Sequence, residues 1–282
     1  MKFLRFKLSG KTAFFKKPDV NTYYYFTYTS IHKVALLGMF GAILGLAGYN
    51  ERNNNRKIKK IKEDFKYPEF YEKLKELKVA IVPTSDKDLK QAKGYITFDG
   101  YVNKKIQTFN NSVGYASYHT GGNLIVKEQW LENPVWEIYL KVDSKISEEL
   151  AKRFMNYNFT YMPYLGKNDH YANIEEVSII NDGELINSSD VKSIYGLFKS
   201  DYFEINNNID SDDGEDDDED NDYNKIEWVF EEFLPVSLTE SINQYQKEKF
   251  RATSLNVKCV NDYKEIYKIN GLNIFFFYEM IL

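Results

Sequence analysis

The spacing of apolar residues predicts a strand at the start of the chain and a buried helix soon after it. In Met1–Gly10 the apolar residues Leu4, Phe6 and Leu8 alternate with polar ones, which is the period of a half-buried strand. Tyr23–Tyr28 is a second run of residues that favour strands. A basic loop separates these two runs, and an almost wholly apolar segment follows them.

That apolar segment, Val34–Tyr49, predicts a helix packed on a sheet. It is shorter than the roughly 20 residues that a membrane span needs, so a membrane anchor is the minor alternative. Its glycines are three or four residues apart and would share one helical face: Gly38, Gly41, Gly45 and Gly48. Each one costs a helix about 1 kcal/mol relative to alanine, so we expect that face to lie very close to a sheet or a nucleic-acid backbone.

The next 130 residues predict a regular order of elements. A helix at Asp64–Leu77 and a strand at Val79–Val82 come first, followed by a long excursion rich in Gly, Asn and Tyr at Thr84–Pro134. A strand at Val135–Val142, a helix at Ser147–Asn156 with Ser147 as N-cap, and a strand at Ile174–Ile180 complete the order. Together with the first strand and helix, this is the split β-α-β order of a ferredoxin-like fold. The fold class predicted is therefore α+β, and such a sheet is also the platform of RNA-recognition (RRM-like) domains.

Charge is distributed unevenly along the chain. The formal net charge is −5, but ten acidic residues fall between Asp210 and Asp222, and residues 1–62 carry 13 Lys or Arg against only Asp19 and Glu51. A basic module beside an acidic tract favours a polyanionic partner, although a solvated surface with a charged loop explains charge alone equally well. The tract lacks the spacing of a calcium loop, so we interpret it as a disordered insertion.

Motifs for familiar chemistry are absent from the sequence. Gly10-Lys11-Thr12 follows a strand, but Arg5 stands where a phosphate-binding loop needs a glycine. The three histidines are too scattered for a metal site, so no metal and no cofactor is predicted. The single cysteine, Cys259, fits a reducing, cytoplasmic compartment.

Metal-independent cleavage of RNA needs an acid and a base, and two residues are candidates for these roles. Tyr49 follows the glycine-rich segment and His119 lies in the long excursion. Nothing in their spacing brings them together. We favour the alternative that Tyr49 anchors a helix end and His119 is a contact residue.

Three parts of the chain, taken in order, resemble one protein family. They comprise Gly10–Asp19 continuing into Ile31–Tyr49, then Asn110–Tyr115 with Gly121–Trp130, and finally Pro163–His170. They resemble the Cas-five family of CRISPR-associated RAMP proteins, particularly its type I-B branch. The resemblance spans roughly residues 1–180 and does not extend to the acidic tract or to most of the C-terminal part.

The resemblance implies a modified ferredoxin-like fold of the RAMP kind, with a β-hairpin thumb inserted between two strands. The implied domain organisation is a ferredoxin-like RNA-binding domain over 1–185 with its thumb at about 84–134. A variable linker over 186–225 follows, with its acidic tract at 210–222, and then a C-terminal β-rich part over 226–282 that ends in the apolar run Ile274–Tyr278.

A guide-RNA subunit is the function that the resemblance implies. Family members cap the 5′ handle of CRISPR RNA within a Cascade complex, beside a backbone subunit of the Cas-seven type and a large subunit of the Cas-eight type. The complex as a whole meets target DNA, which base pairing reads. Residues expected to contact the RNA are Lys11, Phe14, Lys16, Lys17, His32, Lys33, Tyr49, Asn110, Asn111, Tyr115, His119, Lys167, Asn168 and His170.

One branch of the family, type I-C, cuts its own precursor RNA with a Tyr-Lys-His set. Tyr49 and His119 fall in comparable places, but Tyr118 stands where that branch has lysine. We therefore expect a non-catalytic subunit, with a metal-independent endoribonuclease as the alternative.

Overall fold

The structure, a computed structural model, describes residues 1–20, 22–50, 66–84, 102–110, 118–120, 124–206 and 227–278. Its elements, in chain order, are β1 (Phe3–Ser9), β2 (Thr12–Ala13), β3 (Tyr24–Tyr25), α1 (Lys33–Leu44), α2 (Glu69–Leu74), β4 (Val79–Thr84), β5 (Lys104–Asn110), β6 (Ile125–Glu132), β7 (Val135–Lys141), α3 (Lys145–Met155), β8 (Asn173–Ile180), β9 (Glu184–Leu185), β10 (Phe198–Lys199), β11 (Phe203–Ile205), β12 (Val229–Leu238), β13 (Tyr245–Thr253), β14 (Val257–Cys259), β15 (Ile266–Ile269) and β16 (Leu272–Phe275). The α+β class is confirmed.

A four-stranded antiparallel sheet, in the order β4-β7-β1-β8, forms the centre of the molecule. The apolar alternation of β1 puts Phe6 on the side that α1 and α3 cover. There its ring lies 6.4 Å from that of Phe40 and 4.4 Å from that of Phe154. Burying such side chains stabilises the fold by about 1.5–3 kcal/mol each.

The opposite face of this sheet is occupied, so it is not an open platform for RNA bases. Phe3 is fully buried beneath Tyr267 and Phe276, whose ring centroids lie 5.1 and 5.2 Å away. Farther along β1, Arg5 pairs with Glu137. The C-terminal residues and the ion pair thus cover part of the face that an RNA-recognition sheet leaves exposed.

The C-terminal strands are joined to the central sheet rather than appended at a distance. Backbone hydrogen bonds run in both directions between Val79 and Phe277, at 3.3 and 2.9 Å. The Leu238 amide donates to the Tyr71 hydroxyl at 2.9 Å, which ties the β12–β13 hairpin to α2.

Three predicted elements differ from the structure. The predicted strand at Tyr23–Tyr28 is only two residues long, and it pairs in parallel with β6. The predicted helix at Asp64–Leu77 has its start outside the described residues. Its described part begins at Glu69, because Pro68 has extended backbone and acts as N-cap. Helix α3 begins two residues before Ser147, which closes a capping box with the true N-cap, Ser144.

The four glycines of the predicted helix share one helical face only in part. The helix ends at Leu44, where Gly45 adopts φ +74° as its C-cap, and Gly48 lies beyond it. Gly41 is the glycine that needs a close approach, since a Cβ there would lie 2.5 Å from Cβ of Phe70. The neighbour is thus helix α2 and not a sheet.

No helix among the described residues is both long and apolar enough to cross a membrane.

Candidate nucleic-acid interface

His170 is the point at which the three segments of the sequence motif meet. Its Nδ1 lies 2.6 Å from Oγ1 of Thr12, and its ring packs edge-on against Trp130 at 4.6 Å. The imidazole is 1% exposed, and burial lowers its pKa below the ordinary value. His170 was expected to contact RNA. It is instead an interior residue that holds the segments together.

The loops at residues 11–18 and 163–170 lie directly against each other. The Phe14 amide donates to the Leu165 carbonyl at 3.1 Å, and Leu165 is fully buried. Gly166 has φ +87°, and a Cβ at that position would stand 2.0 Å from the Phe14 carbonyl oxygen. Only glycine allows this approach.

Beside this junction runs a groove of about 550 Å³, here called the glycine-helix groove. Its lining includes small residues of α1, among them Gly38, Gly41 and Ala42, together with Phe70 of α2, which packs against Gly41. Five of the predicted RNA-contact residues line it: Phe14, Lys16, His32, Tyr49 and Lys167. The structure therefore gathers residues from the first and third segments around one groove.

Exposed tyrosines stand along this groove. Tyr49 is 42% exposed and rests edge-on against Phe70, with ring centroids 5.7 Å apart. Tyr161 and Tyr164 also line the groove and are 61% and 45% exposed. These two were missed at the sequence level, although a tyrosine-rich stretch after a predicted helix is a signal that could have found them. Exposed rings beside a groove can stack on nucleobases.

The lysines near the groove carry less free positive charge than their number suggests. Lys17 lies 2.6 Å from a carboxylate oxygen of Glu232, and Lys167 lies 3.3 Å from one of Glu128. Lys16 is exposed, with its Nζ 3.9 Å from the centroid of the Tyr25 ring. Lys16 is the exposed lysine in the lining of the groove, which places its side chain where a phosphate in the groove can meet it.

His32 and Lys33 were expected to contact RNA, and the structure places both side chains largely in the interior. His32 is 2% exposed and is the N-cap of α1, accepting from the Ala35 amide at 3.3 Å. Burial lowers the pKa of His32 to about 3, so it is neutral at physiological pH. Lys33 is 1% exposed and donates to the Lys75 carbonyl at 2.7 Å. His32 therefore caps helix α1, and Lys33, its first residue, is tied to the chain near α2.

The remaining expected residues lie away from the groove's lining or outside the described chain. Exposed positions outside the lining of the groove are Lys11, Asn110, His119 and Asn168. Asn111 and Tyr115 fall outside the described residues. The nuclease pair therefore stays a prediction: Tyr49 lines the groove, and His119 belongs to the short described stretch 118–120 of the excursion.

Comparison with known proteins gives matches among solved structures alone. No protein-family model and no curated protein matches the chain. A chain of a CRISPR RNA-guided surveillance complex is 10% identical with a TM-score of 0.47, over 92% of each chain. A CRISPR protein from Archaeoglobus fulgidus is 13% identical with a TM-score of 0.42, over 99% of this chain and 100% of that one. A chain of the type III-B Cmr-beta complex, bound to cognate target RNA and AMPPnP, is 9% identical with a TM-score of 0.40, over 92% and 86%.

Proposed function

We propose that the chain is a guide-RNA-binding subunit of a type I CRISPR effector complex, of the I-B kind, and that it holds the 5′ handle of the RNA. The observation that carries this is the glycine-helix groove. Phe14, Lys16, Tyr49 and Lys167 line it, and they come from segments that resemble the Cas-five family. An exposed lysine and exposed rings in one groove suit single-stranded RNA.

The strand order of the central sheet supports the same proposal. With α1 and α3 on one face, the order β4-β7-β1-β8 matches the β-α-β-β-α-β arrangement of a ferredoxin-like domain. We propose that this is the modified, RAMP-type form of that fold. The antiparallel pair of β5 and β6 would then belong to its inserted thumb.

Partners follow from the same resemblance. The thumb would contact a backbone subunit of the Cas-seven type, and the chain would adjoin a large subunit of the Cas-eight type. Target DNA would reach the chain only through the complex. The side chains of Ile106 on β5 and Ile125 on β6 are exposed, four positions apart along the β5–β6 pair, and would give the thumb an apolar surface for a protein partner.

We propose a holding role and not a cutting role for this subunit. Tyr118 stands where the self-processing branch has lysine, and the burial of His32 and His170 argues against proton transfer from either to a bound RNA. Incubating the pure chain with CRISPR repeat RNA in EDTA should leave the RNA bound and at full length. Binding is read by filter retention and RNA length by gel.

A single site-specific cut in EDTA, abolished by Tyr49→Phe or His119→Ala, would establish the endoribonuclease alternative instead. A ladder of cuts that persists in both variants would indicate a contaminating ribonuclease and calls for repurification.

A further inference from the structure

A second cavity, of about 720 Å³ and here called the turn cavity, adjoins the glycine-helix groove. The two cavities share Lys16, Tyr49 and Tyr245. Its lining also includes Asn243 and Gln244, from the turn between β12 and β13, and Tyr245 and Lys247, from the start of β13. These residues lie in the C-terminal part of the chain, beyond the segments that resemble a known family.

Tyr245 gives the turn cavity a fixed aromatic wall. Its ring packs edge-on against His32 at 5.3 Å and lies 6.5 Å from the ring of Tyr28. Burial raises the pKa of the Tyr245 hydroxyl, so the residue stays a neutral phenol. Tyr49 also lines the cavity, so a ligand there meets two tyrosines.

Two neighbouring carboxamides lie in the lining of the turn cavity, and that of Asn243 donates through Nδ2 to the Ser241 carbonyl at 3.3 Å. The Gln244 side chain is exposed and makes no hydrogen bond to the described part of the chain. Asn243 has φ +55°, and its Oδ1 is buried without a hydrogen-bond partner among the described residues. A carboxamide offers a donor and an acceptor together, which is the pattern that matches the edge of a nucleobase.

The charges around the turn cavity are arranged for one phosphate. Lys247 lies 2.7 Å from both carboxylate oxygens of Asp19, and this hydrogen bond holds the pKa of Asp19 below its usual value. Lys247 thus neutralises the carboxylate that would otherwise repel an anion, and it ties β13 to the N-terminal basic loop. Lys16, on the shared lining, adds the positive charge that a phosphate needs.

We propose that the turn cavity binds one unpaired nucleotide of the RNA. Its base lies against Tyr49 and Tyr245, the base edge meets the exposed carboxamide of Gln244, and its phosphate lies at Lys16. The volume is within the range of about 300–1,000 Å³ that is usual for small-ligand sites. The proposal rests on the proposed function, which brings an RNA strand into the adjoining groove.

The test uses the full chain and a short single-stranded RNA that carries 4-thiouridine in place of uridine. Tyr49→Leu combined with Gln244→Ala should weaken binding of this probe by about tenfold, the loss expected for one stacked base. Both side chains are exposed, and a thermal melt verifies that the variant is folded. The matched control, Tyr171→Leu with Asn158→Ala, changes one exposed tyrosine and one exposed carboxamide outside both cavities and should bind as the wild type does.

Photocrosslinking of the wild-type chain gives a second measurement that does not depend on a variant. The crosslinked peptide should contain Tyr49 or Tyr245. One contrary result is that the double variant binds the probe as tightly as the wild type does and that crosslinks map only to Tyr161 or Tyr164. In that case the turn cavity is not the nucleotide site, but the proposed function stands. If the wild-type chain binds no RNA, the proposed function fails and this inference fails with it.

Discussion

Replacing Gly166 by alanine will lower the free energy of unfolding by about 3 kcal/mol or more. The left-handed backbone at φ +87° costs a residue with a Cβ about 1–2 kcal/mol. The added Cβ would also stand 2.0 Å from the Phe14 carbonyl oxygen, so the two loops would have to separate, and forcing extra atoms into a packed site costs about 1–3 kcal/mol more. Urea denaturation of the purified variant and the wild type measures this total loss in the free energy of unfolding.

Two other glycines separate these contributions. Gly271 has φ +84° but nothing within 4 Å of the position of a Cβ, so Gly271→Ala should cost only the backbone share, about 1–2 kcal/mol. Gly48 has neither a crowded Cβ position nor a positive φ, so Gly48→Ala should be neutral or slightly stabilising. A Gly166→Ala variant no less stable than Gly271→Ala would show that the contact between the two loops contributes nothing.

Reversing the charge at Lys16 should weaken binding of single-stranded RNA by about tenfold or more. A lysine that neutralises one phosphate releases about 0.7 counterion from a single strand. Lys16→Gln should therefore reduce the steepness of the plot of log affinity against log salt concentration by about 0.7. Lys16→Glu adds repulsion to the same loss. Titrating a labelled RNA at several salt concentrations measures both the affinity and the slope.

Lys152→Glu is the control for this charge reversal, since Lys152 is an exposed lysine on α3 outside the groove and should leave affinity and slope unchanged. Lys17 is unsuitable as a second test position. Its ion pair with Glu232 means that Lys17→Glu would place two carboxylates together and disturb the fold. Equal affinities for wild type and Lys16→Glu across the salt range would remove Lys16 from the interface.

Local patterns in the sequence predicted the central elements of the fold well, because burial on one face leaves a strong periodic signal. The alternation of apolar and polar residues around Phe6 correctly predicted β1 and the side of it that is buried. The three motif segments meet at His170, a contact that their order along the chain did not predict. Their individual side-chain roles were less predictable. A basic pair such as His32-Lys33 looks exposed in sequence, whereas here one residue caps a helix and the other is buried against a carbonyl group.

Contacts between distant parts of the chain left no signal that could be interpreted. Lys247 meets Asp19 across 228 positions of sequence, and this contact brings the β12–β13 turn to the groove. The C-terminal half of the turn cavity was missed for that reason. The closed second face of the sheet was missed likewise, because it depends on Tyr267 and Phe276 reaching Phe3 from the far end of the chain.

The most direct test of the central claim is to recover the tagged chain from the cells in which it occurs and to sequence the RNA that accompanies it. The proposal predicts RNAs that share one short 5′ segment derived from a CRISPR repeat and then diverge, together with co-purifying protein subunits. Loss of this RNA in the Lys16→Glu variant, with retention in Lys152→Glu, would link it to the glycine-helix groove. Recovery of the chain without RNA, or with RNAs whose 5′ ends have nothing in common, would contradict the claim that it holds a guide-RNA handle.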